Sequence, residues 1–235
     1  MPAYGQYCPV ARALEVVGDR WSLLIVREVL FGGRRFNEIE RGLPGISRSL
    51  LSQRLQLLER GGVLERRVRE EGRVPEYALT AAGRDLHGLI GALRDWGGRW
   101  AFDDPRPEEL DPAWLLSSMS RRYRRGAVPR RMVLEFRLRG GRRSHVWLLL
   151  HPRSGSEVCL KHPGFEADLL ITAETRALFK VWLGRLSRAE AERRGLLRME
   201  GAADIRRAFP EWFEWPSLPP SRGAAVGGSP AAARG

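Results

Sequence analysis

The amino-acid sequence predicts an α+β protein in two parts. A helical front half closes on a short hairpin, and the back half lays helices on one face of a mostly antiparallel sheet. Three observations predict this. Up to Arg60 the apolar residues recur at helical spacing, and a double glycine then gives way to two alternating segments. A proline-rich acidic stretch, Asp103 to Trp114, separates the halves. Beyond it, four strand-like runs precede two helices, a last strand and a closing helix.

Taken in order, Val10, Ala11, Leu14 and Val17 line one side of a helix running from Cys8 to Val17. Gly18 interrupts it. Asp19 is placed to N-cap a second helix, Arg20 to about Phe31, which carries Trp21, Leu24, Ile25 and Leu30. Gly32-Gly33 ends that helix. A short third helix, Arg35 to Arg41, turns on Phe36 and Ile39, and "GLPG" (Gly42 to Gly45) is a turn by composition.

The next helix carries the chemistry. At 100° per residue from Arg48, the residues Leu58, Leu51 and Leu55 fall at about 280°, 300° and 340°, one narrow stripe. The opposite arc holds Ser49, Gln53, Gln56 and Arg60, with Arg48 and Ser52 to one side and Arg54 on the flank nearer the leucines. Ser47 is the N-cap, and its turn exposes backbone N–H groups that suit a phosphate. Glutamine can pair bidentately with adenine, arginine with guanine, and serine can reach bases or phosphates. Taken alone, the pattern also fits an ordinary amphipathic helix with a solvated face.

The segment after the helix decides between these readings. Gly61-Gly62 stops the helix, Val63 to Glu70 reads as a strand, "EGR" as a turn, and Val74 to Thr80 as the returning strand. Arg66 and Arg67 lie on the outgoing strand, with Arg69 and Arg73 near the tip. This is the order of an N-terminal winged helix-turn-helix domain, whose second helix enters the major groove while the hairpin lies along the backbone or minor groove. The stretch from "CPVARALEVVGDRWSLLIVREVLFGG" through "RFNEI", "GISRSLLSQRLQLLERGG" and "VPEYALTAAGRDL" resembles the HxlR-type winged-helix regulators, bacterial relatives of the MarR group. The resemblance covers residues 7–102. It implies a homodimer built from the first helix and the helix after the wing, here Ala81 to about Phe102, with Leu86, Leu89, Leu93, Trp96 and Trp100 as its apolar members. It also sets Cys8 where some members carry a redox- or electrophile-sensitive thiol. The residues themselves equally allow a small buried hydrophobe, with Arg12 as the local cation.

Residues 103–127 are expected to be a linker whose acidic first part leads into a short helix, and "RRYRRGAVPRR" (Arg121 to Arg131) packs six arginines into eleven residues. Such a run is either a solvated connector or a phosphate contact beside the wing. Residues 128–212 form an α+β domain whose order, "DLLITAETRALFKVWLG" then "GLLRMEGAADIRRAF", resembles the sterol carrier protein type-2 fold. That resemblance implies an apolar cavity for a lipid-like effector, with Leu170, Leu178, Phe179, Trp182, Leu183 and Phe209 as its lining. A filled core fits the same six residues. The low-complexity tail, residues 216–235, is expected to be disordered.

Charge and composition bound the rest. The net charge is +12, of which residues 1–102 hold +4 and residues 103–235 hold +8; 38 of the 40 basic residues are arginine. A polyanion partner is compatible with this, and no more than that. Cys8 and Cys159 are too few for a disulfide framework, and the C-x-x-H of Cys159 to His162 has no second pair at zinc-ligand spacing, so no metal or other cofactor is expected. No nucleophile elbow, phosphate-binding glycine loop or H-E-x-x-H occurs, so an enzyme is not expected. The start of the chain shows no secretory signal and its longest apolar run is far short of a membrane span, which reads as cytoplasmic. The sequence thus predicts a homodimeric regulator on double-stranded DNA with an inverted-repeat operator, modulated by an apolar small molecule. The alternative is a lipid-binding carrier whose front half is a protein-interaction module.

Overall fold

A computed structural model describes residues 3–69, 72–141, 143–216 and 218. Its first compact unit takes the described chain up to Ile90 together with Ser117–Arg121; the second takes Gly91–Leu116 and the described residues from Arg122 onward. Two helices are therefore shared between units, and the tail expected to be disordered lies, apart from Pro216 and Leu218, outside the described residues.

Helix α1 (Pro9–Val17) starts on a proline, whose fixed φ suits a first turn. Helix α2 (Ser22–Leu30) begins later than expected, and Asp19 does not cap it. Trp21 stands before the helix instead, in the left-handed region at φ 82°, which no other described non-glycine residue adopts. That conformation costs about 1–2 kcal/mol for an L-residue, offset here by packing the indole against the core. Asp19 keeps only a backbone role, accepting from Ser22 N–H at 3.1 Å, because its carboxylate is drawn into an ion pair with Arg54. Helix α3 (Phe36–Arg41) is capped by Glu38, which accepts the N–H groups of Arg34 and Arg35 at 2.9 and 3.1 Å.

Helix α4 (Arg48–Arg60) forms as its sequence dictates: Ser47 Oγ accepts from Leu50 N–H at 3.2 Å, and Leu51, Leu55 and Leu58 are wholly buried. Gly62, at φ 70°, turns the chain into β1 (Leu64–Arg69), which pairs antiparallel with β2 (Gly72–Leu79). Helix α5 (Ala81–Trp100) comes next, and a Cβ at Gly83 would overlap the carbonyl oxygen of Val63, so the glycine permits the close approach of helix and strand. Ile25, Val26, Ile39 and the three leucines of α4 make the centre of this core.

One charge is buried among them. Glu28, in the middle of α2, has 0% exposure. Arg27 donates to its Oε1 at 2.6 Å, and Arg121 Nη1 faces Oε2 at 3.1 Å, an ion pair off the line of an aligned hydrogen bond. A Cβ at Gly42 would overlap the same carboxylate. Arg121 is the last residue of α6 (Pro112–Arg121), whose Leu115, Leu116 and Met119 are buried although the helix falls in the stretch expected to be a linker.

In the second unit, β3 (Met132–Arg139), β4 (His145–His151), β5 (Gly155–Cys159), β6 (Leu169–Glu174) and β7 (Leu197–Gly201) form one sheet in the order β5-β4-β3-β6-β7. Only β3 and β6 run parallel. Alternation sorts the faces. Leu134, Phe136, Leu148, Leu169 and Ile171 point into the core, which α7 (Thr175–Trp182), α8 (Arg188–Arg193), α9 (Ala203–Ala208) and a 3-10 turn (Phe209–Trp212) help to close. The other face carries exposed Arg137, Arg198 and Glu200.

Replacing Arg121 by alanine should leave the Glu28 charge short of a partner and destabilise the first unit by about 3–5 kcal/mol. Urea unfolding followed by circular dichroism measures this. The double variant Glu28→Gln/Arg121→Ala should recover part of the loss, since no uncompensated carboxylate remains.

Candidate nucleic-acid interface

The exposed surface of α4 is the one the sequence assigns to base reading. Arg48, Ser49, Ser52, Gln53, Gln56 and Arg60 are exposed; Ser49, Gln53, Gln56 and Arg60 lie across the helix from the buried leucines, with Arg48 and Ser52 to one side. Glutamine and serine side chains at such a surface offer both donors and acceptors, which is what a base edge needs. At the head of the helix the Ser47 and Ser49 hydroxyls lie 3.2 Å apart, and the first-turn N–H groups add positive potential.

The two arginines of α4 differ in environment. Arg48 is tethered to α3: it pairs with Glu40, donates to Asn37 Oδ1 at 3.2 Å and sits 4.7 Å over the Phe36 ring. Its guanidinium is nonetheless 65% exposed and can be recruited by a phosphate. Arg54 is turned inward. Its side chain, on the flank nearer the leucines, is 18% exposed and pairs with Asp19. The reason is an opposite charge 35 residues away in sequence, which helical spacing alone cannot reveal.

The hairpin follows α4 as a wing. Its register pairs Leu64 with Leu79 and Arg67 with Glu76, slipping by two residues between Arg67 and Arg69. The exposed Arg66 and Arg67 give it positive charge, part of which is offset as Arg67 pairs with Glu65. Arg69 and Arg73 stand on the backbone of the two strands, and their side chains lie outside the described residues.

The arginine run before the sheet is largely engaged within the protein. Arg121 faces Glu28, and Arg130 donates to Asp168 Oδ1 at 2.6 Å. Arg131 lies 3.5 Å over the Phe165 ring. Burial lowers the pKa of Arg122 first, against the opposing effect of Glu214. This segment is structural in the main, because its partners come from remote parts of the chain.

Cys8 stands at the N-cap of α1, partly buried, with its carbonyl accepting from Arg12 N–H at 3.0 Å. Burial, then Glu157, pushes the Cys159 thiol up, away from a reactive thiolate. His162 meets Trp147 edge-on at 5.5 Å. Among the described residues no three of His, Cys, Asp and Glu come together in a way that could hold a metal ion.

The six residues assigned to an effector cavity differ in their surroundings. Leu170 is on the opposite face of the sheet from Leu169 and Ile171, where it neighbours Glu200, because a one-residue step in a strand reverses the side. Leu178, Phe179, Trp182 and Phe209 are buried, with Trp182 and Phe209 packed on Phe213 and Trp215 at ring separations of 5.0–6.1 Å; Leu183 is half-buried. Continued chain after Phe209 supplies this filling, a role the sequence reading did not give to Phe213 or Trp215.

Residues 16–104 match the family described as HxlR-like helix-turn-helix. The uncharacterized HTH-type transcriptional regulator YvaP of Bacillus subtilis (strain 168) is 38% identical over 112 residues, which are 47% of this chain and 95% of YvaP. The uncharacterized HTH-type transcriptional regulator Rv3095 of Mycobacterium tuberculosis is 48% identical over 100 residues, 42% of this chain and 61% of that relative. Among solved structures, the reduced form of the transcriptional regulator YodB from Bacillus subtilis is 34% identical, over 39% of this chain and 92% of that one, at a TM-score of 0.35. The chain thus spans about 61% of the length of its mycobacterial relatives. It belongs to the HxlR-like helix-turn-helix family.

Arg54→Ala and Asp19→Ala should each lower thermal stability. The double variant should lose less than the two losses added, with a coupling on the order of 1 kcal/mol for so partly exposed a pair. A thermal-melt double-mutant cycle measures it. Zero coupling would return Arg54 to the set of residues free to contact DNA.

Proposed function

We propose that the chain is a sequence-specific DNA-binding transcriptional regulator that acts as a homodimer on an inverted-repeat operator. One observation carries the reading. A capped helix buries three leucines and presents Ser49, Ser52, Gln53 and Gln56 to solvent, immediately before a wing. In this reading α4 enters the major groove, with Arg48 on a phosphate and Arg69 and Arg73 along the backbone. The names of the relatives, HTH-type transcriptional regulators, agree with it.

The dimer is supported by apolar side chains left at the surface. Tyr7, Val10 and Leu14 are exposed at and before α1, and Leu89, Leu93, Trp96 and Trp100 are exposed along α5. Large aromatic residues at the surface are the usual anchors of an interface. For the back half we propose a sterol-carrier-like fold, supported by its sheet order with one parallel pair. An apolar effector would enter by displacing Trp215 from Trp182 and Phe209. It would alter DNA binding only through unequal affinity for the two states.

Gln53→Ala should cost about 1–3 kcal/mol on the preferred operator and relax discrimination at one base pair, whereas Arg73→Ala should weaken all sequences alike and reduce the salt slope by about one. Fluorescence anisotropy on operator and scrambled duplexes at several salt concentrations checks both. If both variants kept full affinity, the placement of helix and wing would be wrong.

Trp96→Asp with Leu93→Asp should yield a folded monomer in sedimentation. Its footprint should shrink from two half-sites, about 10 bp or a multiple apart, to one. A monomeric parent protein with a single asymmetric half-site would sink the dimer reading.

A further inference from the structure

The sheet of the second unit ends at β7, which pairs with β6 alone. Glu174 N–H donates to Leu196 O at 2.9 Å, and antiparallel pairs alternate between bonded and unbonded positions. Arg198 opposite Thr172 and Glu200 opposite Leu170 are therefore the bonded positions. The backbone N–H and C=O groups of Leu197, Met199 and Gly201 point the other way, out of the sheet. They face an open cleft of about 810 Å³ whose floor is β7 and whose walls are Arg188 and Glu192 of α8 and Ala203, Arg206 and Arg207 of α9.

The cleft is positively charged. Arg198 pairs with Glu200 at 3.3 Å, and Arg188 with Glu192 at 3.8 Å. Among the described residues, the guanidinium groups of Arg206 and Arg207 have no partner. We propose that this edge is a docking groove for an extended acidic segment of a partner protein, which adds to β7 as a sixth strand.

Three arguments favour that occupant. A strand edge offers donors and acceptors in turn, and an extended peptide answers both. A phosphate backbone can only accept, so the outward carbonyls of Leu197 and Met199 would repel it. A second copy of the same edge would bring Arg206 and Arg207 against their own kind, the device by which native sheets keep edges from pairing with themselves. Carboxylates at alternate positions of an incoming strand fall on the side of α8 and α9, within reach of Arg188, Arg206 and Arg207. The intervening side chains lie beside Arg198 and Glu200 and are free to vary.

The test uses the full chain and a fluorescein-labelled peptide of alternating glutamate and valine, followed by anisotropy. Saturable binding is expected, with new hydrogen-exchange protection at the amides of Leu197, Met199 and Gly201. Methylating alternate peptide nitrogens, on the register that faces β7, should weaken binding about tenfold or more, as should Arg206→Glu/Arg207→Glu. Those two arginines are exposed, so an unchanged thermal midpoint separates loss of the groove from loss of the fold. Unsaturable binding, equal affinity for the methylated peptide, or full affinity in the charge-reversed variant would each overturn the proposal.

Discussion

A carboxylate with no access to water must be neutralised in place, and Glu28 is such a carboxylate. Its pairing draws three segments to one point. Arg27 bridges it to the chain after α3, donating also to the carbonyl of Gly42 at 3.3 Å. Gly42 leaves room for it by having no side chain, and Arg121 approaches from the end of α6. Removing any one of these leaves either an unpaired charge or an overlap. The turn from Gly42 to Ile46 is held by this cluster, and Ile46 and Leu43 are both buried in the same core.

That turn sets where α4 starts. With Ser47 capping the helix and Leu51, Leu55 and Leu58 buried beneath it, rotation about the helix axis is fixed by packing. The polar arc then faces outward without any residue on it contributing to the core. The buried leucines and the exposed polar side chains occupy opposite sides of one helix, so the outer face can vary in sequence at little cost to the fold. The Asp19–Arg54 pair is the exception, a charged residue of α4 given over to holding the turn before α2.

How much the sequence made legible depends on the range of the forces involved. The helix cap at Ser47, the leucine stripe, the glycine stop and the sheet's strands are local patterns, and each appears where those patterns put it. The misplaced features are all non-local. Asp19 looks like a cap until Arg54 takes its carboxylate, and "RRYRRGAVPRR" looks like a free charge run until Glu28, Asp168 and Phe165 take its members. Glu28 itself gives no local signal beyond an acid among apolar neighbours. Leu170 sits in a continuous apolar run, "DLLITA", where only the strand's pairing shows which residues share a side.

The unit that carries α4 is interrupted in sequence: it stops at Ile90 and resumes at Ser117–Arg121. The family match ends at residue 104, before that return. In this chain the family motif and the compact unit are therefore bounded differently. A chain joined to a different back half at residue 104 would lose Arg121, one of the two counter-ions of Glu28, and keep Arg27. The Oε2 side of the Glu28 carboxylate would then need a cation from the new segment, or a neutral residue in place of Glu28. One buried carboxylate thus makes residues beyond the family motif part of the body that carries α4.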